Sequence, residues 1–167
     1  MSLRGVVAAM VPLAVAVPPS AKKASPVSDR SGAEAPPTAP LLRVETRGYT
    51  TVINSLSTDR DETLVATASD DKTVRLWDAA SGQLLDIFRI PIGEGAEGML
   101  YAVALSPDDK RMVASGYTGI SWDGTFSLYL FDVEKRRIAA RLSSLPALVN
   151  HLAYSPDGQV FAAVLSG

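Results

Sequence analysis

Cysteine is missing from the 167 residues and histidine occurs once, as His151. The first absence rules out disulfides, thiolate zinc sites, a cysteine nucleophile and a lipid-modified cysteine within this sequence. The second leaves little material for acid–base chemistry or metal binding, and no cofactor or metal is expected. Charge of one sign is lacking too. Sixteen basic residues against eighteen acidic ones leave a formal charge of −2, too weak a field to draw the chain to nucleic acid or anionic lipid. No segment repeats its apolar residues at helical spacing. What remains, 47% hydrophobic and 20% charged residues, is the balance of a globular domain able to bury a core.

The N-terminus reads differently from the rest. Arg4 precedes the uncharged apolar run Gly5 to Val17, which is followed by Pro18-Pro19 and Lys22-Lys23. The run is shorter than the roughly 20 residues of a membrane-spanning helix. Ala14 and Ala16, or Pro19 and Ala21, offer A-x-A-like cleavage points, so residues 1–16 read as a secretory signal peptide, with 21 as the later cleavage point. An exported protein, periplasmic or secreted, is expected, with no membrane contact beyond the export signal; a cytoplasmic protein with an apolar tail is the competing reading. Residues 17–40 hold most of the prolines together with Ser, Ala and Lys. They bury too little apolar surface to offset ordering, which predicts a linker.

From Leu41 onward, short runs rich in β-branched residues alternate with Asp/Gly/Ser/Pro turns, the pattern of antiparallel β structure. The runs also repeat. Asp61, Asp108 and Asp157 sit in equivalent turns, 47 and 49 residues apart, and Ile53 to Leu56 aligns with Leu100 to Val103 and with Val149 to Leu152. A tandem repeat of this length implies a stacked or radial array whose units are not stable singly.

Thr67-Ala-Ser-Asp-Asp-Lys-Thr-Val-Arg-Leu-Trp-Asp78 resembles the end of a WD40 repeat, and Ser155-Pro-Asp-Gly158 resembles the turn between that repeat's first two strands. The resemblance implies an all-β fold of antiparallel four-stranded blades from a β-propeller. On this reading residues 41–46 form a closing outer strand, 47–90 the first repeat, 91–143 the second and 144–167 part of a third. That is about two and a half blades, an incomplete ring whose open blade edges would favour oligomerisation. In the first repeat the inner strand a is expected over Asn54 to Thr58, b over Thr63 to Ala68, c over Thr73 to Trp77 and d over Leu84 to Phe88. The family's buried hydrogen-bond chain maps onto Trp77, Asp71 and either Thr67 or Ser69. Tyr49 stands where the family has histidine, and Trp77 is expected to be the best-buried aromatic of its blade. The second repeat has Phe131-Asp132 for Trp-Asp and Gly116 for the Ser69 hydroxyl. Its b–c turn carries seven extra residues, around Tyr117 to Phe126.

Catalytic candidates fall away on register. His151, with Ser155 and Asp157 close behind it, takes the strand-a position of Ser55 and Ala102, so it reads as a strand side chain. The pairs Asp59/Asp61, Asp70/Asp71 and Asp108/Asp109 lack the spacing of a calcium loop. Gly93 to Gly98 is glycine-rich but does not join a strand to a helix, as a phosphate cradle would require. Lys135-Arg136-Arg137 with Arg141 reads as edge protection.

The expected function is therefore a non-catalytic propeller scaffold, binding a protein or ligand partner through its loop face. No catalytic residue, cofactor site, metal site or nucleic-acid partner is assigned. Candidate partner-binding residues are Glu94, Glu97, Tyr117, Trp122 and Asp123, with Trp122 either an exposed anchor or folded back over its own blade. Pro91 to Pro107 and Asn150 to Asp157 also resemble exported bacterial WD40 proteins, some with a caspase-like peptidase domain. The alternative is accordingly the recognition part of a larger enzyme whose catalytic domain lies outside this chain.

Overall fold

The computed structural model describes residues 51–167 and the backbone of 8–12. Tyr49, the expected closing strand 41–46 and the linker lie outside the described residues. Two four-stranded antiparallel sheets follow each other along the chain. The first has the order β2 (Ile53–Thr58), β3 (Leu64–Ser69), β4 (Thr73–Asp78), β5 (Leu84–Arg89). The second has the order β6 (Met99–Leu105), β7 (Arg111–Tyr117), β8 (Phe126–Asp132), β9 (Arg137–Leu145). Each is a meander whose neighbours in sequence are neighbours in the sheet, as the expected four-stranded blades imply. The sheets do not close into a ring.

The third unit contributes β10 (Val149–Tyr154) and β11 (Val160–Leu165), and the outer edge of β11 is taken by β1 (Ala8–Pro12), antiparallel, with Ala8 opposite Val164 and Pro12 opposite Val160. Part of the run read as an export signal thus occupies the place of a third strand. The sequence reading did not anticipate this pairing. A bare strand edge presents unpaired N–H and C=O groups that accept any extended segment, and Pro12 is tolerated because it ends an edge strand.

The period-2 pattern of each strand sorts its side chains between two inter-sheet cores. Ala66, Ala68, Val74, Leu76 and Phe88 of the first sheet pack against Val103, Leu105, Met112, Ala114, Tyr129 and Phe131 of the second. The alternate residues of the second sheet, Ala102, Ala104, Val113, Leu128 and Leu130, pack against Val149, Leu152, Phe161 and Ala163 of the third unit. At the first junction the Ser55 and Ser57 hydroxyls accept the amides of Val103 and Leu105, at 3.3 and 3.0 Å. Leu56, the counterpart of Val103 in the first unit, is 69% exposed where Val103 is 1%, because no described unit precedes the first.

The a–b turns repeat one device with varied chemistry. Asp59 accepts the amides of Thr63 and Leu64, whereas Ser106 accepts Arg111 N–H and Ser155 accepts Val160 N–H. Ser106 and Ser155 in turn donate to Asp108 and Asp157. The fourth turn position is left-handed in all three units, at Glu62 (φ 55°), Asp109 (φ 58°) and Gly158 (φ 70°); only in the third is it the residue that adopts this conformation without strain.

These turns make the fold acid-sensitive. Burial pushes Asp59 up, but bonds from the Leu64 amide and from the Thr63 hydroxyl and amide outweigh it and hold the carboxyl below its ordinary value. The Ser106 hydroxyl lowers Asp108 and the Ser155 hydroxyl lowers Asp157. A carboxyl lowered in the folded state contributes stability above its unfolded value of about 4, and that stability is lost as pH falls through the folded value. Denaturant midpoints should therefore stay level from pH 7 to about 4 and fall below it. A midpoint unchanged at pH 2 would contradict this.

Candidate functional site

Three loops meet at the end of the units opposite the a–b turns. They are the b–c turn Asp70 to Lys72, the d–a connection Ile90 to Gly98, and the long b–c turn of the second unit. In the last, Ile120–Asp123 forms a single helical turn, α1, where the sequence predicted only an extended loop. Glu97 joins two of them. Its carboxylate accepts Gly119 N–H at 2.5 Å, Ser121 N–H at 3.0 Å and the Ser121 hydroxyl at 3.1 Å. Gly98 N–H adds a bond to the Tyr117 carbonyl, and Lys72 Nζ reaches the Gly93 carbonyl, each near 2.9 Å.

This geometry corrects two of the five partner-binding candidates. Glu97 is 1% exposed; its carboxylate holds the loops together and is not on the surface. Trp122, on α1, is 4% exposed, so it is not an exposed anchor. Asp123 is partly exposed and ion-paired to Arg141, whose guanidinium also bonds Ser127 and stands 5.8 Å from the centre of the Tyr129 ring. Tyr117 is half-buried, edge-on to Phe126 at 5.8 Å, and Glu94 is exposed.

Two sets of bonds are seen among the residues of the expected hydrogen-bond chain. Trp77 Nε1 donates to Thr67 Oγ1 at 2.8 Å, and Thr67 donates on to the Arg75 carbonyl at 3.3 Å. Ser69 instead donates to the Val52 carbonyl at 2.8 Å and accepts Asp71 N–H at 3.1 Å. Asp71 is joined to Thr73, through its amide and hydroxyl, and to Arg75 Nη2 at 2.9 Å, an ion pair with both side chains at most 2% exposed. Sequence reasoning missed Arg75 and the fastening role of Glu97. The signal for Arg75 was present, since Thr73, Arg75 and Trp77 share one face of β4 and Asp71 precedes Arg75 by four. Among the described residues Phe88 is the best-buried aromatic of the first unit, not Trp77, which is only partly buried. Phe88 points into the inter-sheet core, 5.5 Å from Phe131 and edge-on, whereas Trp77 sits on the opposite face of its sheet.

Trp77→Phe should cost about 1 kcal/mol, the net worth of one hydrogen bond, because Thr67 keeps its bond to the Arg75 carbonyl. In the same variant the remaining tryptophan, Trp122, should resist quenching by acrylamide. Quenching as efficient as that of free tryptophan would contradict its burial.

At the other end of the units, a groove of about 450 Å³ is lined by residues that include Leu56, Leu105, Leu152, Arg60, His151 and Tyr154. His151 lies exposed on β10, a strand side chain as its register implies. Among the described residues, no three His, Cys, Asp or Glu side chains stand close enough to hold a metal. The basic cluster is engaged in ion pairs, Lys135 with Asp132 and Arg136 with Asp86.

The sheets define a class: antiparallel four-stranded blades packed face to face, as in a β-propeller. The family model WD40 (WD domain, G-beta repeat) matches residues 41–78 and 89–129. Two stretches of the chain thus match the WD40 repeat. It is 30% identical over 102 residues to eukaryotic translation initiation factor 3 subunit I of Debaryomyces hansenii, across 61% of this chain and 27% of that protein. It is 31% identical over 99 residues to transcription initiation factor TFIID subunit 5 of Caenorhabditis elegans, across 59% of this chain and 13% of that one. A shorter match, 31% over 75 residues, joins 43% of the chain to 6% of human apoptotic protease-activating factor 1. The chain spans about a quarter of the first of these relatives, and less of the other two.

Proposed function

We propose that this chain is a non-catalytic WD40 scaffold that binds a protein partner through its loop face. The observation that carries the reading is the Glu97 carboxylate, buried and bonded to both Gly119 and Ser121. It fixes two loops that would otherwise have to be ordered on binding, and pre-ordering lowers the cost of association. Two of the relatives are named as subunits of larger assemblies, which supports the same role.

The test is capture by the full chain from cells that make it. Glu94→Lys, on the loop face, should abolish recovery of a partner that Asp109→Lys, at the opposite end, retains. Equal recovery by both variants would contradict the proposal.

Export belongs to the same proposal, supported by the apolar run Gly5 to Val17 and its two small-residue cleavage points. N-terminal sequencing of the native protein should find a start at residue 17 or 22; a start at Met1 would contradict export. Cleavage at either point would also remove β1 and bare the edge of β11, and a bare edge favours association with a second chain.

A further inference from the structure

The inner strands carry a β-bulge at the same place in all three units. Register shifts fall between Ile53 and Ser55, between Leu100 and Ala102, and between Val149 and His151. The extra residues are Asn54, Tyr101 and Asn150, spaced by the same 47 and 49 residues as the turns. A bulge turns one side chain out of the alternation of its strand. Here it does so three times at the loop end of the inner strands, and all three residues are exposed or half-exposed.

The first two bulges adjoin a carboxylate. Asn54 Nδ2 donates to Asp70 Oδ1 at 2.6 Å and to the Leu100 carbonyl at 2.9 Å, which ties Asp70 to the start of the second unit's inner strand beside Tyr101. Among the described residues no lysine or arginine pairs with Asp70. Lys72, two positions on, is directed to the Gly93 carbonyl. Tyr101 stands beside Met99, its hydroxyl 3.8 Å from the sulfur, and Met99 lies directly opposite Tyr117 across β6 and β7. Tyr117 in turn meets the ring of Phe126. Burial raises the Tyr101 phenol, and the neighbouring Asp70 charge and Tyr117 add to the shift.

We propose that Asp70 and the rings of Tyr101 and Tyr117 form a receptor for a lysine or arginine side chain of the protein partner, with the bulge residue Asn54 flanking it. A carboxylate with no cation of its own beside two half-exposed aromatic rings offers a cation both an ion pair and ring faces. The Asn54 amide oxygen can accept an N–H of the partner's backbone. This rests on the loop-face reading above and adds the chemistry of the partner to it.

The test uses the full chain and three blocked tripeptides, Gly-Arg-Gly, Gly-Lys-Gly and Gly-Glu-Gly, followed by NMR. The arginine or lysine peptide should shift the Tyr101, Tyr117 and Asn54 resonances saturably, and the glutamate peptide should not. Asp70→Asn keeps an oxygen for Asn54 and removes only the charge, so it should weaken binding about fivefold or more. Tyr101→Leu should weaken it comparably, and it decides the matter if Asp70→Asn lacks a cooperative melt. Arg60→Ala, at the far end, should change nothing. Binding that survives both substitutions, or no binding of either cationic peptide at these residues, overturns the receptor. Binding of the glutamate peptide there instead overturns the cation assignment and leaves the scaffold reading standing, since that reading falls only with the Glu94→Lys capture.

Discussion

Asp71→Ala is expected to destabilise the chain by about 3–5 kcal/mol, the largest effect of any single substitution outside the inter-sheet cores. The reason is the state it leaves behind. Arg75 is 1% exposed in the middle of β4, and Asp71 supplies the anionic partner of its Nη2 while also accepting the Thr73 amide and hydroxyl. Removing the carboxylate takes an anionic partner from a buried charge and the acceptor from two buried donors at once, and each buried group that loses a partner costs its desolvation. Replacing both ends together, as Asp71→Leu with Arg75→Met, should recover most of the loss, because the pair's own attraction is largely offset by the cost of burying it. Urea melts of the two variants decide. A single variant within about 1 kcal/mol of the parent would show that the pair is solvated.

Gly116→Ala should cost about 3 kcal/mol or prevent folding, although it adds one methyl group. A Cβ at this position would lie 2.2 Å from the Met99 carbonyl oxygen and 2.8 Å from both Leu100 Cα and Tyr101 N. All three atoms belong to the backbone of β6 where it bulges, so no side chain can swing aside. The glycine is needed for close approach alone, since its φ is not left-handed. The first unit manages the same place differently, with Ser69 bonded to the Val52 carbonyl. Loss of the bulge would also turn Tyr101 back into the alternation of its strand. A variant with a parental melting temperature would contradict the packing described.

The strands, their order and the position of the insertion were legible in the sequence, because a repeat of 47 to 49 residues states the same period-2 pattern three times and each copy checks the others. The observed β2 to β5 depart from the expected bounds by no more than one residue at any end. What depended on side chains meeting across loops was not legible. Glu97 looks like a surface residue of a glycine-rich connection until α1 brings Gly119 and Ser121 above it. Trp122 lies between glycines at 119 and 124, and nothing local shows whether the chain between them turns inward. The Trp77 match pointed to Thr67, which accepts its indole N–H, but gave no sign that Arg75 is the ion partner of Asp71. The β1 pairing was hidden because an apolar run ahead of a proline-rich stretch has a simpler reading as an export signal.

The most direct test of a pre-ordered loop face is amide hydrogen exchange of the full chain without any partner. The Gly119 and Ser121 amides, both held by Glu97, should exchange as slowly as those of β7, and Glu97→Ala should release them while leaving β7 protected. Wild-type exchange at these two amides as fast as in the exposed turn at Arg60 and Asp61 would show that the loops are not held, and would contradict the account.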